Sequence, residues 1–304
     1  MTTTVRVAAD QQTHPEVVRR PAGIMAAAPF AMALAIGGVV LARHGGDRLT
    51  EATRAALVLA WAVAGAVITA RRPHERLGPL VLIATVVGGT GGLAAAVLRA
   101  STHGAGVPGG VVSVAHLVLP LAVALLPAIG MQVLLCLPDG SCRVSRALIQ
   151  AGYAVGVGVG LVSWTRRPAM PLWPVGVEAV LALAIGLVGS NRRYRRSVGA
   201  ERQRLQWFGW ALVAATEVTL VTLALRLLAG WPPQGVFIIA AATLTIPVAL
   251  AVSSSPRLLG QVDRILAHTV STVGLSGVVV AVYVVVVLGL GRPPTSSERS
   301  LLLL

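Results

Sequence analysis

The chain has 304 residues, of which 55% are apolar and only 12% are charged, and its mean hydropathy is strongly positive. Soluble domains carry about 25% charged residues, so this composition excludes a soluble globular fold. The net charge is +14 and every basic residue is arginine. These arginines lie at the ends of apolar runs, where they anchor membrane helices, and a nucleic-acid-binding protein is therefore rejected.

Nine apolar runs follow a polar N-terminal tail of residues 1–21. A helix of roughly 20 apolar residues spans the hydrocarbon core of a bilayer, and only a helix satisfies its own backbone hydrogen bonds there without closing a barrel. Each run is therefore predicted to be a membrane helix. In chain order the predicted helices cover residues 22–42, 55–70, 77–98, 111–137, 147–164, 175–190, 205–228, 235–252 and 266–290.

The last residues, 291–304, consist of a polar loop with two prolines and then four leucines. The leucines are typical of the first turn of a tenth membrane helix, so the chain is expected to be truncated before a further region. The predicted fold class is all-α: a polytopic transmembrane bundle with about nine complete helices plus the start of a tenth. The transmembrane domain is expected to cover residues 22–290, and residues 291–304 to form an outer loop and the start of the tenth helix.

The arginines also predict an orientation. With the N-terminus in the cytoplasm, 16 of the 25 arginines lie on the cytoplasmic side and nine on the outer side. An excess of positive charge in cytoplasmic loops is the usual pattern of multi-pass proteins. The protein is therefore expected to be a multi-pass membrane protein with a cytoplasmic N-terminus and the lipid bilayer as its surroundings.

Cys136 and Cys142 flank a short turn and match no zinc or CxxC spacing. Two free thiols are the favoured interpretation, because the orientation above places this loop in the reducing cytoplasm. A disulfide is the alternative.

Glycines recur at helical spacing in two predicted helices. Gly152, Gly156 and Gly160 form a GxxxGxxxG pattern, and Gly88 and Gly92 form a GxxxG pattern. Such faces allow two helix backbones to approach closely. Packing within this chain is the favoured interpretation, and a dimer face is the alternative.

Three ionisable residues inside the apolar runs are candidate intramembrane polar sites. Glu217 is expected near the bilayer midplane, and His116 and Glu178 nearer the outer interface. Because a charge inside the membrane is costly, such residues are either functional or held by partners. A polar cavity that senses a ligand or a proton is one interpretation; hydrogen bonds between helices are the other.

The most basic stretch of the chain contains Arg192, Arg193, Arg195 and Arg196. Arginines at the membrane surface attract anionic headgroups, so these four residues are predicted to form a cytoplasmic basic anchor, with a specific partner site as the alternative. No HExxH, P-loop or GxSxG motif and no zinc pattern is present in the sequence. No catalytic, cofactor or metal residue is therefore predicted in this chain.

Four sequence segments, taken in order, resemble the membrane sensor region of actinobacterial two-component sensor histidine kinases. Residues 71–80 (RRPHERLGPL) are similar to an RRPxNPxGWLL pattern of that family, although the Asn-Pro and the Trp are absent. Residues 134–140 (LLCLPDG) resemble its LLFPDGRL loop. Residues 192–208 (RRYRRSVGAERQRLQWF) and residues 257–271 (RLLGQVDRILAHTVS) resemble two further motifs.

The resemblance implies a bacterial plasma-membrane protein that continues into a cytoplasmic kinase region. That region would bind ATP and Mg²⁺, form a homodimer and phosphorylate a response regulator; none of it lies in this chain. The resemblance implies no phosphoacceptor role for His268, because the family's phosphoacceptor histidine lies further downstream.

The leading hypothesis is a membrane-embedded sensory input module of a sensor histidine kinase, which passes a membrane-proximal stimulus to that kinase region. The alternative is a stand-alone polytopic protein, such as a transporter or an assembly factor. Glu217 and a fourth helix expected to be broken by Pro120 and Pro127 favour the alternative. No enzymatic activity is assigned to the chain itself.

Overall fold

The computed structural model describes residues 22–41, 48–104, 106–142, 146–166, 173–229 and 234–255. Within these ranges the chain is all-helical and contains no strand. The helices are α1 (Ala22–Leu41), α2 (Arg48–Arg71), α3 (Leu77–Thr102), α4 (Gly109–Cys136), α5 (Arg146–Thr165), α6 (Trp173–Arg196), α7 (Gly199–Ala229), α8 (Gly235–Thr243) and α9 (Thr245–Ser253).

Seven helical segments of the described part are long and apolar enough to cross a membrane: α2 to α7, and α8 with α9 counted together as Gly235–Ser253. Helix α1 adds a shorter apolar stretch, Ala26–Leu41. The chain is therefore a multi-pass helical membrane protein. Eight of the nine predicted helices coincide with described helices. The predicted tail (1–21), the ninth helix (266–290) and the start of the tenth lie outside the described residues, so a total of nine or ten crossings stays a prediction.

Two prolines inside α4 do not break it. Pro120 and Pro127 lie within a helix that runs without interruption from Gly109 to Cys136, so the expected break is wrong. Membrane helices tolerate proline when neighbouring helices and local adjustments accommodate the missing backbone hydrogen bond.

The eighth predicted helix is irregular at Leu244, between α8 and α9, although Leu244 keeps helical torsion angles of φ −64° and ψ −21°. Pro247 lies in the first turn of α9. Its ring nitrogen has no hydrogen to donate to the carbonyl of Thr243, four residues before it. The hydroxyl of Thr245 donates to the carbonyl of Ala242 at 2.7 Å and to that of Ala211 on α7 at 3.3 Å. The first turn of α9 is therefore hydrogen-bonded to α7.

The helices pack as a bundle around α3 and α4. Helix α3 contacts α1, α2 and α4, and α4 also contacts α5 and α6. Helix α7 packs against α8 and α9, and α9 returns to contact α2. Large apolar side chains such as Val155, Leu161, Val180 and Leu181 are exposed along α5 and α6, as expected of helices that face lipid.

The largest cluster of buried apolar side chains lies towards one end of the bundle. It joins Ile68 of α2, Val81 of α3, Val133 of α4, Phe208 of α7 and Leu250 of α9. Five helices therefore share one core just inside the loops that connect them.

The glycine pattern of α5 provides close helix packing within the chain, as predicted. A Cβ atom added at Gly156 would lie 2.9 Å from the carbonyl oxygen of Ala124 on α4, and one at Gly160 would lie 3.0 Å from the Cα of Leu121. Side chains at these two positions would push α4 and α5 apart.

The second glycine pattern differs from the expectation of close packing. A Cβ atom at Gly88 would meet only the side chain of Leu126, at 3.9 Å, and one at Gly92 would meet nothing within 4 Å. Both glycines line a cavity between α2, α3, α4, α7 and α9, so here the missing side chains leave space rather than bring backbones together.

Candidate functional site

Polar and charged side chains from four connections meet at one end of the bundle. The connections are the α2–α3 loop, the loop after α4, the α6–α7 turn and the end of α9. We call this group the arginine–acid cluster. Its members are Arg71, Arg72, Glu75, Asp139, Ser141, Arg193, Glu201, Arg204 and Ser254.

Arg193, in the last turn of α6, joins two of these connections, the α6–α7 turn and the loop after α4. Its Nη2 donates to Oδ1 of Asp139 at 3.0 Å, and its Nε donates to Oε1 of Glu201 on α7 at 2.8 Å. Its Nη1 donates to the carbonyl of Ser141 at 2.9 Å. The side chain is only 10% exposed. A planar guanidinium with several fixed donors is suited to holding such partners in one geometry.

Glu75, in the α2–α3 loop, accepts from two arginines. Arg72 Nη1 donates to its Oε1 at 2.8 Å, and Arg204 Nη1 of α7 donates to the same oxygen at 2.9 Å. Arg72 also donates from Nε to the carbonyl of Ser254 at 3.2 Å. This loop is thereby tied both to α7 and to the end of α9.

The loop after α4 is closely fitted to the start of α3. The backbone N–H of Arg76 donates to the carbonyl of Asp139 at 3.1 Å. Gly140 has φ of 81°, a conformation that glycine adopts without strain. A Cβ atom at this glycine would collide with the backbone of Arg76 and Leu77, so the position requires glycine on two grounds.

The two carboxyl groups of these loops titrate differently. Burial raises the pKa of Glu75 and outweighs the opposing charge of Arg72. Burial also tends to raise the pKa of Asp139, but hydrogen bonds from Ser141 and the nearby Arg193 together leave the pKa of Asp139 below its ordinary value. Ser141 supplies both its backbone N–H, at 3.0 Å, and its hydroxyl.

Cys136 and Cys142, on either side of this loop, form a disulfide. The interpretation as two free thiols is therefore wrong. The spacing of the two cysteines matches no metal or redox motif. They pair because the chain turns at Asp139 and Gly140, which places Cys142 beside Cys136 at the end of α4. Disulfides persist in oxidising compartments, so this pairing opposes a cytoplasmic location for the loop, whereas the arginine distribution favours one.

The four arginines of the predicted basic anchor divide into two groups. Arg192, Arg195 and Arg196 are exposed, as an interaction with headgroups requires. Arg193 instead points into the arginine–acid cluster. The periodicity of α6 explains this difference, because consecutive helical residues point about 100° apart.

The three predicted intramembrane polar residues lie apart. Within the described residues, no hydrogen bond or ion pair joins any two of them. Glu217 on α7 and His116 on α4 are partly buried. Glu178 on α6 is buried, and neither of its carboxyl oxygens has a hydrogen-bond partner in this part of the chain. A Cβ atom at Gly156 would lie 3.1 Å from Oε1 of Glu178, so the carboxyl group lies against the backbone of α5.

A second charged group, which the sequence analysis missed, lies at the opposite end of the bundle. Glu51 of α2 is buried and accepts from Arg54 at 3.0 Å and from Arg99 of α3. The i,i+3 spacing of Glu51 and Arg54 on an otherwise apolar helix is a signal in the sequence, but no pattern there indicates that Arg99 joins them.

Ion pairs and hydrogen bonds link the four connections of the arginine–acid cluster. No group of three or more His, Cys, Asp or Glu side chains suited to a metal ion is found among the described residues. Comparison with protein-family models, curated proteins and solved structures gives no match.

Proposed function

We propose that this chain is the membrane-embedded sensory input module of a two-component sensor histidine kinase. In this proposal a stimulus in or near the bilayer shifts the packing of the helices. The shift is passed to a cytoplasmic kinase region that follows residue 304, binds ATP and Mg²⁺, acts as a homodimer and phosphorylates a response regulator. A stimulus drives such a change only if it binds one packing better than the other.

The proposal rests on the convergence of the segments that resemble the sensor-kinase family. Residues 71–80, 134–140 and 192–208 are far apart in sequence, yet each contributes to the arginine–acid cluster through Glu75, Asp139, Arg193 and Arg204. The fourth segment, 257–271, begins three residues after Ser254, which the same cluster holds. Segments that meet at one end of the bundle are suited to transmitting a change in packing to whatever follows them.

The proposal includes a location and an orientation. The bundle lies in the plasma membrane of a bacterium, and the end that carries the arginine–acid cluster faces the cytoplasm. The distribution of arginine supports this orientation, with the exposed Arg192, Arg195 and Arg196 at the same end.

Determination of the reading frame downstream of codon 304 tests the proposal. The proposed function predicts one more membrane helix, then a dimerisation helix with a phosphoacceptor histidine and an ATP-binding domain. These elements should lie within about 250 codons, because domains typically have about 100–150 residues. A stop codon soon after the tenth helix, with no ATP-binding domain, would contradict it.

The rival function, a stand-alone transporter, is favoured by one observation: the buried Glu178 has no hydrogen-bond partner in the described part of the chain, as in a site that exchanges protons. Purified protein in vesicles would then move a solute or protons, and Glu178→Gln would abolish the flux. Absence of any flux in the parent protein would remove the ground for this rival.

A further inference from the structure

An elongated apolar cavity lies between α2, α3, α4, α7 and α9, inside the membrane-spanning part of the bundle. Its volume is about 560 Å³, within the 300–1,000 Å³ typical of small-molecule sites. Along α4 its wall extends from Leu119 to Leu134, which is about 22 Å at 1.5 Å per residue. The cavity is therefore elongated.

Glycines create this space. Gly88, Gly92 and Gly130 form part of its wall, and a Cβ atom at Gly92 or Gly130 would meet nothing within 4 Å. The remaining lining is largely aliphatic and aromatic, and the hydroxyl of Thr85 already donates to the carbonyl of Val81 at 2.8 Å. An apolar cavity of this kind offers nothing to hold water and takes an apolar occupant.

One end of the cavity carries a charge. Arg54 is the only charged residue among the described lining residues, and it lies at the end away from the arginine–acid cluster. One of its N–H groups donates to Glu51, and a guanidinium has five. Glu51 also accepts from Arg99, so its negative charge is shared between two cations. Arg54 therefore has donors to offer an anion that enters the cavity.

We propose that this cavity binds a single-chain anionic amphiphile, a long-chain carboxylate, with its carboxylate at Arg54 and its alkyl chain lying along Gly92 and Gly130. The elongated shape suits an extended alkyl chain, and the single guanidinium at one end matches one small anionic headgroup. The binding site is independent of the proposed function. Its role as the site of a sensory stimulus rests on that function.

The test uses the whole 304-residue chain, purified in detergent, and a photoreactive 16-carbon fatty acid, with labelled peptides identified by mass spectrometry. We expect saturable labelling of the α3 and α4 segments that line the cavity. Unlabelled palmitic acid competes, whereas hexadecanol, which lacks the charge, competes about tenfold less well. Tenfold corresponds to about 1.4 kcal/mol, the low end of the range for a hydrogen bond to a charged group.

Two pairs of variants separate specific binding from contact with bulk amphiphile. Gly92→Leu fills the cavity and is expected to abolish the saturable labelling. Gly158→Leu is the matched control, because Gly158 also has open space around it but lies on the exposed face of α5. Arg54→Gln is expected to weaken competition by palmitic acid about tenfold and to leave competition by hexadecanol unchanged. Arg226→Gln, an exposed arginine in the last turn of α7, is its control.

Several outcomes would overturn the proposal. One is non-saturable labelling that is equal in Gly92→Leu and Gly158→Leu. Others are stronger competition by a two-chain phosphatidylglycerol than by palmitic acid, or no labelling of the cavity wall because another segment of this chain fills it. The measurement involves no phosphorylation, so its failure leaves the proposed function standing, and absence of a kinase region leaves the binding site standing.

Discussion

Nη2 of Arg193, on the last turn of α6, lies 3.0 Å from Oδ1 of Asp139 in the loop after α4. The same guanidinium lies 2.8 Å from Glu201 at the start of α7. This largely buried side chain therefore connects the end of α4, the end of α6 and the start of α7. Asp139 and Arg193 are 54 residues apart in the sequence. Its neighbour Arg192 is exposed, which provides a control one residue away.

Arg193→Gln should destabilise the protein, whereas Arg192→Gln should leave its stability nearly unchanged. Hydrogen bonds to charged groups contribute about 1.5–3 kcal/mol each, and the partners are partly exposed, so we expect the low end of that range. Thermal unfolding in detergent, followed by circular dichroism, measures the effect. Equal unfolding midpoints for the two variants would show that the contacts of Arg193 do not hold the bundle together.

Asp139 should give the protein a stability that disappears in acid. Its pKa is below the ordinary value in the folded protein because hydrogen bonds from Ser141 and the charge of Arg193 outweigh the effect of burial. A carboxyl whose folded pKa is depressed contributes stability that is fully present above its unfolded pKa, about 3.9, and is lost as pH falls through the folded value.

Comparison of the parent protein with Asp139→Asn between pH 7 and pH 3 checks this sign. The parent should be the more stable at pH 7 and at pH 5, and the difference should shrink below about pH 3.9. A difference that grows on acidification would contradict the assignment.

Gly156→Leu should separate α4 from α5. Its Cβ would lie 2.9 Å from the carbonyl oxygen of Ala124, and overpacking of a close contact costs about 1–3 kcal/mol. Gly158→Leu lies two residues away in open space and should be tolerated. Unfolding midpoints of the two variants in detergent test this contrast, and equal destabilisation would show that the α4–α5 contact is not the cause.

Reporter fusions should place the arginine–acid cluster on the cytoplasmic side. Green fluorescent protein joined after residue 198, in the α6–α7 turn, should fluoresce, and alkaline phosphatase joined after residue 104 should be active. The reverse pattern would contradict the orientation derived from arginine and would agree with the disulfide between Cys136 and Cys142.

The sequence alone predicts most of the helices, because the length of an apolar run is a direct consequence of bilayer thickness. It does not predict the irregularity at Leu244, next to which Thr245 forms a hydrogen bond to another helix. The same limit applies to the two glycine patterns. Gly88 and Gly156 both belong to GxxxG patterns, yet Gly88 lines a cavity and Gly156 lies against the backbone of α4. The spacing of glycines along one helix contains no information about the helix that packs against it.

The candidate site shows the same division between local and long-range information. The sequence motifs contain Glu75, Asp139, Arg193 and Arg204, but their order along the chain does not indicate that Arg204 reaches Glu75, 129 residues away. It also does not indicate that Arg193, next to the exposed Arg192, is bonded to Asp139 and Glu201. Pairing between distant helices is decided by packing, which only the three-dimensional structure shows.

The most direct test of the proposed function is phosphorylation of the natural gene product. Antibodies against this chain would recover it from membranes, and incubation with radiolabelled ATP and Mg²⁺ would follow. The proposed function predicts a polypeptide well above the 31.2 kDa of this chain that acquires acid-labile, base-stable phosphate, as phosphohistidine does. A product near 31 kDa that acquires no phosphate would contradict it.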